Sequence, residues 1–170
     1  MMDRKRTKNE INRYMMRQKI VAFGDDFYIE NTRGEKVFHI DGKVLTIRDT
    51  LVFEDMQGRE LCRIKEKLVK IKDTMNIENT DGKNIATVKK DLINVIRDHW
   101  TIKVNDGPDL DVKGNVLDFD YRIRAGRQEV ARVSKKFFRI KDTYGVEIQP
   151  GQNDILLLAI TVALDMMVHD

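Results

Sequence analysis

GRELCRIKEKLVKIKDT, residues 58–74, is the stretch on which the fold turns. Cys62 and Ile64 sit at even positions and oppose Leu61, Arg63 and Lys65, and further on Val69 and Ile71 oppose Lys70 and Lys72. Alternation at every second residue marks strands with one buried face. Only Glu60 breaks it, falling on the apolar side next to the glycine end of the unit.

The unit recurs. GEKVFHI, beginning at Gly34, leads to IRDT at 47–50, and GKNIATV, beginning at Gly82, leads to IRDH at 96–99, so the interval is 24 residues on either side of the quoted stretch. A fourth copy runs from Gly126 (GRQEVARV) to IKDT at 140–143, after an irregular insert at 104–118. Self-similarity of this kind means that each copy is one supersecondary piece stacked on its neighbours. Applied to the other copies, the same alternation sets Leu45 and Ile47 opposite Arg48, and Phe138 and Ile140 opposite Arg139 and Lys141.

Turn signals punctuate the chain between the apolar runs: NTRG at 31–34, DMQG at 55–58, NTDG at 79–82 and NDG at 105–107. Short runs rich in Ile, Val, Phe and Thr between such clusters are the signature of successive hairpins in an all-β barrel or sandwich. The two prolines, Pro108 and Pro150, fall where strands would have ended.

The last segment has a different period. Asn153 or Asp154 can cap a helix, and ILLLAITVALDMMV at 155–168 is apolar on nearly every side, interrupted mainly by Thr161 and Asp165. A helix of that kind is enclosed in a core or in a membrane. At about 1.5 Å per residue its fourteen residues span roughly 21 Å, short of the roughly 30 Å hydrocarbon layer. The spacing therefore predicts a buried helix over 153–168. Many half-buried strands and one apolar helix without a helical partner are satisfied together by a closed antiparallel sheet wrapped round that helix.

The 170 residues suit one domain, carrying 41% apolar and 35% charged side chains with a net charge of +3. The charge is unevenly spread, since residues 1–20 hold seven basic side chains against Asp3 and Glu10, while the other 150 carry 24 basic against 26 acidic. Residues 1–17 accordingly read as a basic N-terminal arm, and 18–170 as the barrel domain. A lone cysteine, Cys62, excludes an internal disulfide and suits the cytoplasm. His39, His99 and His169 are isolated, no zinc spacing occurs, and no cofactor motif is present.

Several longer stretches, in order, carry a resemblance: RYMMRQKIVAFGDDFYIENTRGEKVF at 13–38, GNVLDFDYRI at 114–123, VARVSKKFFRIKDTYGVEI at 130–148 and LLLAITVALD at 156–165. They resemble the LURP-one-related family in its bacterial branch. The resemblance implies a tubby-like fold of about twelve strands around a hydrophobic C-terminal helix, similar to the tubby C-terminal domain and the phospholipid scramblases. It implies no enzymatic activity and carries over no headgroup-binding residue.

Each candidate for chemistry has an ordinary structural explanation. The Asp49/Thr50, Asp73/Thr74 and Asp142/Thr143 pairs repeat round the scaffold, which suits turns and strand ends better than a catalytic set. Asp165 is expected to be paired or close to water at a barrel end, His99 to be a turn or surface residue, and Cys62 a small core residue. The binding candidates are the outward cations: Arg63, Lys65, Lys70 and Lys72, with Lys135, Lys136, Arg139 and Lys141 on the last unit. Such a stripe would meet anionic phospholipid headgroups or an acidic protein, gaining roughly 1 kcal/mol per basic residue near an anionic bilayer. Nucleic acid is disfavoured by the single Trp and by the lack of aromatics interleaved with the cations. The expectation is thus a non-enzymatic barrel that binds an anionic partner, peripheral to a membrane at most. Its rival is a barrel holding an apolar small molecule, which the plugging helix disfavours.

Overall fold

The computed structural model describes residues 9–18, 26–42, 50–66, 74–91 and 99–169. Twelve strands are found among the described residues: β1 (Asn12–Arg17), β2 (Phe27–Asn31), β3 (Lys36–Asp41), β4 (Thr50–Asp55), β5 (Glu60–Glu66) and β6 (Thr74–Glu78) lead to β7 (Asn84–Asp91), β8 (His99–Val104), β9 (Leu110–Asn115), β10 (Asp120–Ala125), β11 (Gln128–Ser134) and β12 (Thr143–Ile148). A helix, α1 (Asp154–His169), follows. Each strand pairs antiparallel with its neighbours in sequence, and β1 pairs with β12 to close the barrel. The expected closed sheet around a C-terminal helix is therefore the observed one.

Closure uses residues that the sequence reading assigned to the N-terminal arm. Asn12–Arg17 is the first stave, laddered to β12 from Asn12 opposite Ile148 to Arg17 opposite Thr143. Within RYMMR the operative period is two: Tyr14 and Met16 are buried in the core, while Arg13 and Arg17 face out.

The three regular repeats share one turn. Asn31, Asp55 and Asn79 occupy equivalent positions, and each side-chain Oδ1 accepts two backbone N–H groups, from Arg33 and Glu35, Gln57 and Arg59, and Asp81 and Lys83. Gly34, Gly58 and Gly82 follow with φ of 74°, 76° and 77°, a left-handed conformation that explains why each turn ends in glycine.

Just past each turn the strand register slips by one residue. Phe53 opposes Cys62 but Glu54 opposes Glu60, which leaves Leu61 as an extra residue in a β-bulge. The same slip skips Val37 in β3, Ile85 in β7 and Val130 in β11. All four are apolar, and all pack against the core or within it. The bulge explains why Glu60 broke the alternation. It resets the phase, so Glu60 lies with Arg63 while Leu61, expected on the outer face, turns toward the core at the end where α1 enters.

The fourth IKDT unit departs from the expected strand. Phe138 to Lys141 belong to the connection between β11 and β12, and Ile140, expected to face inward, is 55% exposed. Asp142 has a φ of 58° and the Thr143 hydroxyl donates to the Ile140 carbonyl at 2.7 Å, so the chain turns here and starts β12 at the threonine. Thr50 and Thr74 likewise open β4 and β6 as buried first residues, and His99 opens β8. Leu45, Ile47, Arg48, Asp49, Val69, Ile71 and Asp73 lie outside the described residues.

Helix α1 is capped as its sequence implied: the Asn153 Oδ1 accepts the Leu156 N–H at 3.1 Å. Leu157 to Met166 are all buried, and Thr161 spends its hydroxyl on the Leu157 carbonyl four residues back. The core is this helix plus the inward residues of the staves. Cys62 is part of it, and burial pushes its thiol pKa up to about 12, with the Glu60 charge adding to the effect. Among the described residues no helix is long and apolar enough to cross a membrane.

Because Ile160 is fully enclosed by staves that cannot collapse independently, Ile160→Ala should destabilise the fold by about 2–5 kcal/mol. Urea unfolding followed by the fluorescence of Trp100 measures it; a loss under 1 kcal/mol would show that the helix is not the packed centre.

Candidate anion-facing surface

Arg63 and Lys65 lie on the outer face of β5 and are already paired. The Arg63 Nε is 2.7 Å from Glu60, and the Lys65 Nζ is 2.7 Å from Glu78, which lies diagonally across the β5–β6 ladder, opposite Arg63. Their charge is neutralised locally. Lys70 and Lys72 lie outside the described residues.

The other four predicted cations share a different setting. Lys135, Lys136, Arg139 and Lys141 all sit in the 135–142 connection, where Asp142 is the single acidic residue. None of the four makes an ion pair with a described residue. Instead the connection is held by aromatic packing. Gly145 on β12 leaves an opening on the barrel wall, and Phe137 and Phe138 fill it: a Cβ added at Gly145 would lie 2.6 Å from the Phe137 Cβ and 2.8 Å from the Phe138 ring. The Arg132 guanidinium covers the Phe137 ring at 5.7 Å, and the Lys135 Nζ lies 5.5 Å from the Phe119 ring. Lys136 donates its backbone N–H to the Ser134 hydroxyl.

With both phenylalanines turned to the barrel, Arg139, Ile140 and Lys141 project from it. The antiparallel order puts the β9–β10 connection at the same end, and there Leu117 is 54% exposed. This end of the barrel thus combines cations that make no ion pair with a described residue and two exposed aliphatic side chains. The alternation rule concealed the aliphatic part, because it placed Ile140 in the core. Beneath the 140–143 segment a groove of about 380 Å³ opens beside Arg17 and Tyr28, where the β1–β2 ladder is reduced to Tyr14 opposite Asn31 and Met15 opposite Glu30.

Asp165 sits under this end with its carboxylate buried. It lies 2.8 Å from the His169 Nδ1 and 3.5 Å from the Tyr144 hydroxyl. Tyr121 and Tyr144 are both held far above the ordinary tyrosine range, first by burial and then by the Asp165 charge. Phe119 closes the cluster, stacking on Tyr144 at 4.4 Å and on His169 at 5.0 Å. The arrangement gives the buried carboxylate polar partners on the helix and on β12. His99 is similarly committed: its Nδ1 is 2.6 Å from Asp91, which also accepts the Thr101 hydroxyl at 2.6 Å.

The family model described as LURP-one-related matches residues 12–165, and the chain belongs to that family. No curated protein sequence matches it. Among solved structures, the X-ray structure of a protein from Arabidopsis thaliana is similar at a TM-score of 0.68 and 20% identity, over 92% of this chain and 91% of that one. At that identity the likeness concerns the fold.

Two outcomes follow from this geometry. Gly145→Ala forces the Phe137 and Phe138 contacts apart and should cost about 1–3 kcal/mol; thermal unfolding checks it, with an unchanged midpoint counting against the docked loop. The second concerns Asp91, whose carboxyl is held below its usual range by the Thr101 hydrogen bond, against desolvation, and with help from His99. A depressed carboxylate pKa stabilises the fold above the ordinary value near 3.9, and that contribution is lost as pH falls through the folded value. Asp91→Asn should therefore flatten the loss of urea stability between about pH 5 and pH 2.

Proposed function

We propose that this LURP-one-related barrel is a non-enzymatic module that binds anionic phospholipid surfaces peripherally through its 135–142 connection. The observation that supports the reading is the contrast between the two sets of cations. Those on β5 are spent on Glu60 and Glu78, whereas Lys135, Lys136, Arg139 and Lys141 make no ion pair with a described residue and flank the exposed Ile140. At roughly 1 kcal/mol per basic residue near an anionic bilayer, four contribute about 4 kcal/mol. Seating Ile140 among the acyl chains adds about 1.5–3 kcal/mol. The sum describes reversible, salt-sensitive attachment. Lys70 and Lys72, outside the described residues, stay in the proposal on their charge alone. The single thiol, Cys62, fits a reducing compartment and so the cytoplasmic leaflet.

Co-sedimentation with phosphatidylcholine vesicles, with and without phosphatidylserine, is the test. Binding should require the anionic lipid, weaken at least tenfold with Arg139→Glu plus Lys141→Glu, and weaken less with Ile140→Ser. Arg63→Gln should change little. Equal binding to neutral and anionic vesicles would end the lipid reading, while vesicle-independent retention on an acidic polypeptide column would transfer the surface to an acidic protein partner.

A further inference from the structure

At the opposite end of the barrel, where α1 enters, four hairpins fill the mouth with their bulged residues. Val37, Leu61, Ile85 and Val130 each pack against or within the core. The β8–β9 hairpin lacks such a residue. Its ladder extends only from Trp100 opposite Val112 to Ile102 opposite Leu110, and beyond it the chain runs through Asp106, Gly107 and Pro108. The Asp109 carboxylate ties this loop back by accepting the Val104 N–H at 3.2 Å.

Omitting one bulged side chain from the ring leaves a sector of the mouth unfilled. A cavity of about 350 Å³ opens there, walled by Ile85, Val104, Leu110, Val130, Leu156 and Leu157. Apolar walls with a few polar groups at the rim, at the mouth of a barrel, characterise a small-ligand site, and this volume is near the small end of the usual range of roughly 300–1,000 Å³. The rim polar groups are Asp106, Gln152 and Asn153. Asp106 already lies 3.5 Å from the Lys83 ammonium. Asn153 uses its Oδ1 to cap α1, which leaves its amide Nδ2 as a donor, and the Gln152 side chain makes no hydrogen bond with a described residue.

We propose that this mouth cavity binds a small aliphatic molecule carrying a hydrogen-bond acceptor at one end, such as a medium-chain carboxylate. The aliphatic body covers Leu156 and Leu157, and the acceptor meets the Asn153 and Gln152 amides. The site is distinct from the barrel interior, which α1 fills, and from the cationic end, so it stands or falls independently of membrane attachment.

Octanoate titrated into the full chain, followed by methyl NMR, tests it. Val104, Leu110, Leu156 and Leu157 methyls should shift saturably, and octylamine, which presents only donors, should bind at least fivefold more weakly. Leu156→Trp should abolish the saturable shifts by filling the space. Val104→Phe narrows the same space from the barrel wall and should weaken binding at least tenfold if the tryptophan variant fails to fold. Absence of saturable shifts, or binding unchanged in the folded variants, overturns the site; octylamine binding as tightly as octanoate overturns the assignment of its polar end.

Discussion

Enclosure of α1 governs everything else in the molecule. Leu157 to Met166 are buried on every side of the helix, so no one-sided packing could satisfy it. A helix with side chains is about 10 Å across, and a sheet wraps such a cylinder completely only by closing on itself. Closure is supplied by the β1–β12 ladder, which joins the two ends of the sheet through six residue pairs. The same ladder removes the exposed strand edges that an open sheet of this length would present for aggregation. Core and edge are therefore one constraint.

Neighbouring carboxylates neutralise part of the charge carried by the staves. A cation on a stave has neighbours at fixed positions along its own strand and on two adjoining ones: Glu60 pairs with Arg63 within β5, while Glu78 and Glu147 reach Lys65 and Arg13 from the next strand. Paired in this way, an exposed cation contributes little to long-range attraction and only about 0–1 kcal/mol to stability. The 135–142 connection leaves the ladder, and none of its four cations makes an ion pair with a described residue. The seating of Phe137 and Phe138 against Gly145 keeps these cations on the barrel surface.

The repeat made much of this legible. Alternation in 58–74 put Cys62 and Ile64 inside and Arg63 and Lys65 outside, as they are. Period and cap also located the helix, since its chemistry changes abruptly at Asn153. The bulges were hidden, because an extra residue in one strand is defined by its partner's register, which lies in a different part of the chain. Glu60 showed the consequence without the cause. For the same reason the neutralisation of Lys65 by Glu78 was invisible, thirteen residues away in sequence yet a contact in space. The fourth repeat misled most: FFRIKDT alternates as well as any strand, but Gly145 opposite it offers room on the outer wall, and the phenylalanines take that position instead of an inward one.

The buried Asp165 has a role that follows from these packing arguments. A helix lined with Leu, Ile, Val and Ala has little to fix its position along the barrel axis, because apolar contacts are non-directional. A slip by one turn would move Asp165 about 5.4 Å, away from Tyr144 and His169 and among apolar staves, where an uncompensated charge costs several kcal/mol. Phe119 adds to the definition of this position, holding a φ of 52° in order to stack on both partners. At the other end the Asn153 cap and the Asp154 carboxylate, which accepts from Asn12 and Tyr14, secure the entrance. The polar groups at the two ends set the axial register of the plug while the apolar middle supplies the burial, and that register places Leu156 and Leu157 under the mouth cavity and the Phe119 ring beneath Lys135.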